Sequence, residues 1–348
     1  MAKEIKCLIW DLDNTLWDGT LAEGADVALR EGAAEVMAEL DRRGILQSVA
    51  SRNHFDDAMD KIKRFGLDGF FLYPQISWGN KSDAVREIAK ELNIGLDSLA
   101  FMDDEPTERA EVAFHLPEVL MIDAKDYLGV PDMEAFKPKY VTEDSAMRRR
   151  MYIDDIERKA RQDEFAGPNE EFLKTLGMEL SIAPVRPGDL ERVFELTVRT
   201  NQLNSTGVTY DFDELSGYID SEKHIFLIAA LSDKFGPYGK IGLALLEEGA
   251  GTGEGAGVLD GELRIRLMLM SCRVLSKGVG SAILVKMTRL AQERGKRLTA
   301  DFVDTGRNRM MYLTYKLMGF EEANEEGTIL QYNGGRREYP DYLSVVGG

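Results

Sequence analysis

Apolar residues along this chain fall into short continuous runs and into helical stripes, and the two alternate. Ile5 to Trp10 is an apolar run too short for a helix, and it predicts a buried strand. From Glu31 to Arg43 the spacing becomes helical, with Ala34, Val36, Met37 and Leu40 on one face and Gly44 as the stop. Ile45 to Ala50 predicts a second buried strand, residues 55–65 an amphipathic helix ended by Gly66, and Gly69 to Tyr73 a short third strand. A helix is expected from Lys81 to Leu92, and a fourth strand from Leu99 to Met102. Strands alternating with helices imply an α/β fold with a doubly wound parallel sheet, which binds ligands beyond the carboxyl ends of its strands.

The pattern breaks between residues 131 and 176. Pro131, Pro138 and Pro168 punctuate a highly charged stretch containing Arg148-Arg149-Arg150, Arg158, Lys159 and Arg161. Thr142 and Ser145 ahead of Met147 to Arg161 form the signature of a capped helix. It reads as a solvated connecting helix; the sharper alternative is a basic dock for an acidic partner. Beyond it, Met178 to Pro184 predicts a strand and Pro187 to Thr200 a helix burying Leu190, Val193, Phe194 and Leu196. Further strands are expected at His224 to Leu231, Lys240 to Glu247, Glu262 to Met270 and Leu298 to Val303, with a helix from Ser281 to Arg294. The glycine-rich piece Gly249 to Gly257 lacks a strand-to-helix context, so it is expected to be a flexible hairpin connection rather than a phosphate loop.

Length then divides the pattern. At 348 residues the chain is long for one domain, and the boundaries fall at 1–130, a charged helical linker at 131–176, and a second domain at 177–342. A formal charge of −18 argues against nonspecific binding to nucleic acid or an anionic membrane. The two cysteines, Cys7 and Cys272, sit in different motifs, so a reducing compartment fits better than a disulfide framework. The first apolar run is too short for a signal peptide and ends in Asp11, and no apolar stretch approaches the ~20 residues of a membrane span. A cytoplasmic protein is expected.

The chemistry gathers at the predicted strand ends. Asp11 and Asp13 end the first strand, two residues apart and therefore on one side of an extended chain. Ser51 ends the second strand, Asp103-Asp104 the fourth, and Lys81 opens a helix nearby. Converging carboxylates call for a hard cation, and Mg²⁺ suits oxygen ligands. A hydroxyl and an ammonium suit the oxygens of a phosphate. A carboxylate nucleophile, a second carboxyl and a metal together point to phosphoryl transfer.

Asp11-x-Asp13-x-Thr15, Ser51, Lys81 and Asp103-Asp104 resemble, in order, the four motifs of the haloacid dehalogenase (HAD) superfamily of phosphatases. The resemblance implies Asp11 as nucleophile and Asp13 as acid and base. It implies that Thr15, Ser51 and Lys81 bind phosphate, that Asp11, Asp13 and Asp103 hold Mg²⁺, and that Asp104 assists. The intervals between motifs leave no room for a large cap, so the catalytic edge is expected to be open unless the rest of the chain covers it.

In the second half, Arg199-Thr200-Asn201-Gln202-Leu203-Asn204-Ser205-Thr206 is dense in amides and hydroxyls. It is either a polar loop with Asn turns or a pocket reading polar substrate groups through Arg199, Asn201, Gln202 and Asn204. The run Leu267 to Gly280 passes from strand through a glycine-containing turn to a helix, whose backbone N–H groups would cradle a phosphate. Gly278 and Gly280 resemble the cofactor loop of the GNAT acetyltransferase fold, with Leu275 where Arg or Gln is usual. Asn308 through Gly319-Phe320 resembles the same fold's later signature, which implies that Tyr315 protonates a departing thiolate. Cys272 follows a strand against which, in this fold, an acyl thioester lies. It is either a small buried hydrophobe or an acyl-carrying thiol, and Arg273 and the helix start would favour its thiolate. Cys7, inside the first strand, is expected to be packing.

A HAD-like phosphatase joined to a GNAT-like domain, with the words Leu-Asp-Asn-Thr-Leu-Trp, Thr-Asn-Gln-x-Asn-x-Thr and Met-Ser-Cys-Arg-Val, resembles the FkbH family over nearly the whole chain. The resemblance implies a bifunctional enzyme that takes 1,3-bisphosphoglycerate, a phosphorylated three-carbon substrate. It would remove a phosphate and load the glyceryl group onto the phosphopantetheine thiol of an acyl carrier protein in polyketide synthesis. Asp18-Gly19-Thr20 stands where the family usually has Gly-Gly, and Leu203 and Ser205 vary the amide motif. Two other classes are a phosphatase joined to a separate acetyl-CoA-dependent transferase, and a non-catalytic carrier-docking module.

Overall fold

The computed structural model describes residues 4–24, 26–249 and 261–347. The glycine-rich piece expected as a hairpin connection lies, apart from Gly249, outside the described residues. The chain divides into two compact units, Met1–Ile153 and Asp154–Gly348, and the boundary falls within the helix Arg148–Glu164. The stretch expected as a linker is thus shared out between the units. Its capping box is present, Thr142 with Ser145, but caps a separate single turn, Glu143–Ala146. Arg148 donates to Gly44 O at 2.7 Å, and Arg149 pairs with Asp41 at 2.8 and 3.0 Å, so both are engaged within the first unit. No helix among the described residues is long and apolar enough to cross a membrane.

The first unit is built on five parallel strands: β1 (Cys7–Trp10), β2 (Leu46–Ser51), β3 (Gln75–Ile76), β4 (Leu99–Asp103) and β5 (Leu120–Asp123), in the order β3-β2-β1-β4-β5. The winding starts at β1 and proceeds outward in both directions, which makes the sheet doubly wound and puts its switch point between β1 and β4. All four β1 residues are fully buried, as expected of a strand covered on both faces. Registers Trp10↔Val49 and Trp10↔Met102 bring the carboxyl ends of the three central strands level. Helices α1 (Ala33–Arg42), α2 (Phe55–Arg64), α3 (Lys81–Leu92) and α4 (Pro106–His115) lie between strands in sequence.

One strand moves from where the sequence puts it. Residues 69–73 do not form a strand: Asp68–Phe70 is a 3₁₀ turn, and only Phe71 bridges to Gln47. Tyr73 is left-handed (φ 51°) ahead of Pro74, which turns the chain and delays pairing until β3. The apolar content of this stretch is used for packing instead, with Phe71 and Leu72 buried.

The second unit holds an eight-stranded mixed sheet: β6 (Met178–Pro184), β7 (His224–Asp233), β8 (Gly236–Glu248), β9 (Glu262–Met270), β10 (Arg297–Asp301), β11 (Phe320–Glu322), β12 (Ile329–Tyr332) and β13 (Leu343–Val346). Its order is β11-β12-β10-β9-β8-β7-β6-β13, parallel only at β9/β10 and β6/β13. Strand alternation sorts the core. Leu227, Ala229, Leu231, Met268 and Met270 pack in a cluster with Val279, Ile283, Met311 and Tyr315. On the alternate positions, Phe226, Ile228, Leu267 and Leu269 pack in a second cluster with Leu190, Val193 and Leu196. Helices thus cover the sheet on both faces, giving a second α/β domain after the parallel one.

Where the parallel strands part is decisive for this unit. β9 and β10 pair only from Glu262↔Arg297 to Ile265↔Ala300. Past that point β9 continues to Met270, and its exposed backbone edge requires another partner.

Candidate active site

Asp11 is one residue beyond β1, and its N–H donates to Met102 O at 2.9 Å, which locks it beside the end of β4. Asp103 ends β4, and Ser51 ends β2. Asp11, Ser51 and Asp103 are all buried. Lys81 opens α3, where the helix dipole disfavours a cation. It is held there by carboxylates: its Nζ lies 2.8 Å from Asp11 Oδ1 and also bonds Asp103 Oδ2. Asp103 Oδ1 accepts from Glu105 N at 2.8 Å, and Arg109 donates to Asp103 O at 2.6 Å, so the start of α4 fixes the acidic strand end.

Burial pushes the Asp11 carboxyl up to about 7, with neighbouring Asp103 adding to the rise and Lys81 and Ser51 opposing it. For Lys81, burial acts to lower the ammonium, but Asp11 and Asp103 outweigh it and the net direction is upward. Asp104 is raised by burial and then by Asp103. One oxygen each from Asp11, Asp103 and Asp104 lies within 4.8 Å of the others. Three carboxylate oxygens this close, two of them on the buried Asp11 and Asp103, are a fit for a hard divalent cation.

That cluster differs from the expected ligand set in one place. The Asp13 carboxylate is not in it. Asp13 Oδ1 accepts from Trp17 Nε1 at 2.7 Å and from Leu21 N at 3.0 Å, and Asp13 Oδ2 accepts from Asn53 Nδ2 at 2.9 Å. Three donors turn the side chain toward the loop that follows β1. Asp104 takes the third position instead. Thr15, expected on the phosphate, is fully buried, and its hydroxyl is engaged by Asp104: Asp104 N donates to Thr15 Oγ1 at 3.0 Å. Asn53 was not singled out by sequence, although it lies two residues after Ser51, and its Nδ2 also approaches Ser51 Oγ at 3.5 Å. Cys7 is buried inside β1, and burial pushes its thiol up.

In the second unit, the amide-rich segment is not an open pocket. Ser205 N donates to Met268 O at 2.9 Å, Met270 N donates to Leu203 O at 2.9 Å, and Asn204 bridges antiparallel to Leu269. Val303 N donates to Ser205 O at 3.0 Å, closing the other side. Leu203–Ser205 therefore fills the gap where β9 leaves β10. Asn308 secures it, donating to Asn204 O and Val303 O at 2.8 Å each. Asn204 Oδ1 accepts from Thr206 N at 3.1 Å and Gly207 N at 2.9 Å, an Asn turn. Asn201 and Gln202 are exposed, and Arg199 donates to Glu195 at 3.2 Å.

Tyr315, expected beside a thiolate, is fully buried, and burial pushes its hydroxyl up. Gly278 (φ 75°) caps the helix α9 (Val279–Glu293), and a Cβ there would stand 2.7 Å from Tyr342 Oη. A Cβ on Gly280 would stand 2.6 Å from Met270 Cε. Both glycines make room for the chain's own side chains. Cys272 is half-buried in the 3₁₀ turn Cys272–Val274, whose Ser271 Oγ accepts from Arg273 N at 3.4 Å.

No family model matches the chain, and no curated protein matches it. It is similar to the N-terminal part of the protein BF1531 from Bacteroides fragilis, containing a phosphatase domain complexed with Mg, at 32% identity and a TM-score of 0.33. That match covers 39% of this chain and 41% of the other, so the similarity spans about two fifths of that relative's length. It is also similar to the GNAT domain of S. lividans PAT, at 17% identity, over 43% of this chain and 88% of the other, with a TM-score of 0.34. The ribosomal-protein-S18-alanine N-acetyltransferase from Escherichia coli is 15% identical over 46% of this chain and 99% of its own, with a TM-score of 0.32.

Proposed function

We propose that the first unit is a Mg²⁺-dependent phosphatase and the second an acyltransferase. Together they would load the glyceryl group of 1,3-bisphosphoglycerate onto the phosphopantetheine thiol of an acyl carrier protein. The observation that supports the first half most directly is the buried Lys81 ammonium bridging Asp11 and Asp103 at the sheet's switch point, with the Ser51 hydroxyl alongside. Asp11, Asp103 and Asp104 would hold Mg²⁺, which when bound neutralises the carboxylates so that a phosphate dianion can approach.

The Asp11 carboxylate attacks phosphorus, the P–O bond to the three-carbon body breaks, and the departing alkoxide takes a proton from Asp13. Water then attacks the aspartyl phosphate, gives its proton to Asp13, and releases phosphate. Lys81 and Ser51 hold the non-bridging oxygens through both steps. Trp17, Leu21 and Asn53 fix the orientation of Asp13 for its two proton transfers.

The other end of the substrate is an acyl phosphate, already activated toward a thiol, so transfer needs no further energy source. Cys272, half-buried just past β9, is the residue we assign to carrying the acyl group. Its thiolate attacks the acyl carbon, and the C–O bond breaks to release inorganic phosphate. The carrier thiol then attacks the thioester, its proton passing to the departing Cys272 thiolate. Incubating the protein with Mg²⁺, 1,3-bisphosphoglycerate and phosphopantetheine-bearing carrier, then weighing the carrier, tests the whole reading. A carrier that gains the mass of a glyceryl thioester is expected, and no gain rejects the transfer. Retained transfer in Cys272→Ala would reject only the covalent step.

A further inference from the structure

We propose that Leu203–Ser205 is a displaceable strap, held in a slot that an extended, amide-bearing arm enters by replacing it. The inference rests on the acyl-transfer reading above for the class of arm, a pantetheine thioester. What it adds is that this chain closes the slot with its own backbone.

The slot is defined by the parting of β9 from β10. Beyond Ile265 the edge of β9 has no partner in β10, and Leu203–Ser205 supplies one through Ser205 N–H to Met268 O and Leu203 O from Met270 N–H. An arm offering one amide N–H and two carbonyls would satisfy the three β9 groups the strap engages, Met268 O, Met270 N and Met268 N, the last now bonded to Ser205 Oγ. Exchange of strap for arm therefore leaves the β9 edge with no net loss of hydrogen bonds. An arm left to bind elsewhere would find this edge of β9 already taken.

A second observation points to the same place. Tyr315 is fully buried, and its hydroxyl has no hydrogen-bond partner. The Ser205 hydroxyl is the hydrogen-bonding group nearest the phenol and opposes the rise that burial imposes on it, while Ser205 Oγ accepts from Met268 N at 3.0 Å. An unsatisfied buried hydroxyl disfavours the closed form. Departure of Ser205 would uncover this group at the floor of the slot, beside an incoming thioester.

The strap's anchoring is local. Beyond the β9 contacts it depends on Asn308 Nδ2 at Asn204 O and on Val303 N at Ser205 O. Its flanks are Asn201–Gln202, both exposed, and Gly207, left-handed at φ 67°. Leu203–Ser205 is itself buried, with Leu203 in the core, so it leaves when an arm refills its place, and the exposed flanks give the chain at either end the freedom to move.

Hydrogen exchange on the whole chain, with 4′-phosphopantetheine as the probe and calorimetry as an independent reading of binding, tests the proposal. In the free protein the amides of Ser205 and Met270 should both be protected. At saturating probe, Ser205 should exchange at least tenfold faster while Met270 remains protected. Asn308→Ala without probe should accelerate Ser205 and Met270 together, because Leu203 O leaves Met270 N with the strap, and should bind the probe more tightly with Met270 protection restored at saturation. Probe bound with Ser205 still protected would overturn the strap and leave the acyl-transfer reading standing. Loss of Met270 protection together with Ser205 at saturating probe would overturn it as well, since no arm would then have taken the place of Leu203 O on the β9 edge. No binding to either the wild type or Asn308→Ala would remove the slot and the thioester reading together, without touching phosphate release by the first unit.

Discussion

Asn53 Nδ2 donates to Asp13 Oδ2 at 2.9 Å, and this one bond fixes the oxygen of Asp13 that Trp17 and Leu21 leave free. Asp13 is thereby held outside the cluster of Asp11, Asp103 and Asp104. The arrangement separates two jobs: three carboxylates for a cation and one for protons. Asn53→Ala removes the separation's restraint while leaving every carboxylate in place. Phosphate release should fall about ten- to hundredfold in kcat, the range for a residue supporting a metal or catalytic group. KM should stay within about threefold, because Ser51 and Lys81 still hold the phosphoryl group. Steady-state phosphate release reads both. A change confined to KM would assign Asn53 to substrate binding instead.

The raised Asp11 carboxyl gives metal binding a pH signature. Burial holds this group at about 7 in the metal-free protein, against an ordinary value of 3.8. Its folded value is the higher, so its contribution to stability is fully present below 3.8 and is lost as pH rises through about 7. Mg²⁺ acts in the opposite sense, because it binds the ionised form. Affinity should therefore rise about tenfold per pH unit below 7 and level off above it, with close to one proton released per ion at pH 6. Calorimetry in buffers of different ionisation enthalpy measures both. A flat affinity between pH 5 and 7 would contradict the assignment.

Lys81 is the cation the site carries without metal. Its side chain and those of Asp11 and Asp103 are 6%, 7% and 0% exposed, so solvent screens the trio little. Lys81→Met leaves two buried carboxylates uncompensated and should destabilise the metal-free protein by about 3–5 kcal/mol. Excess Mg²⁺ should restore most of that loss while phosphatase activity stays low, because the phosphate loses its ammonium. Thermal unfolding with and without Mg²⁺ separates the two effects. Equal destabilisation in both conditions would mean that the metal and the lysine do not share the same carboxylates.

The parts of the fold that could be read from sequence were those where one local signal sufficed. Lys81–Leu92 and Glu262–Met270 have the expected bounds because apolar spacing and flanking breakers agree there. Asp11, Ser51, Lys81 and Asp103 converge because each ends a strand or starts a helix on the same sheet edge. What failed was orientation. Asp13 follows the same strand as Asp11, but donors from residues 17, 21 and 53 turn it, and no spacing rule carries those contacts. Likewise, Arg199–Thr206 reads by composition as either a polar loop with Asn turns or a pocket, and composition does not choose between them. The segment's polar atoms are consumed by a sheet gap that exists only because β9 and β10 diverge, a non-local fact.

Gly278 offers a test of what the turn before α9 is shaped for. Its φ of 75° favours glycine, and a Cβ would also stand 2.7 Å from Tyr342 Oη and 3.1 Å from Pro340 Cγ. Gly278→Ala should thus carry two costs, about 1 kcal/mol for the left-handed backbone and a further term for the clash with the C-terminal segment. Tyr342→Ala removes the nearer clashing group and leaves the backbone cost. The double variant Gly278→Ala/Tyr342→Ala should therefore be more stable than the sum of the single changes predicts, by about 0.5–3 kcal/mol of coupling. Urea unfolding of the four proteins closes the cycle. Strict additivity would mean that Tyr342 does not press on this turn, and that the glycine answers to backbone conformation alone.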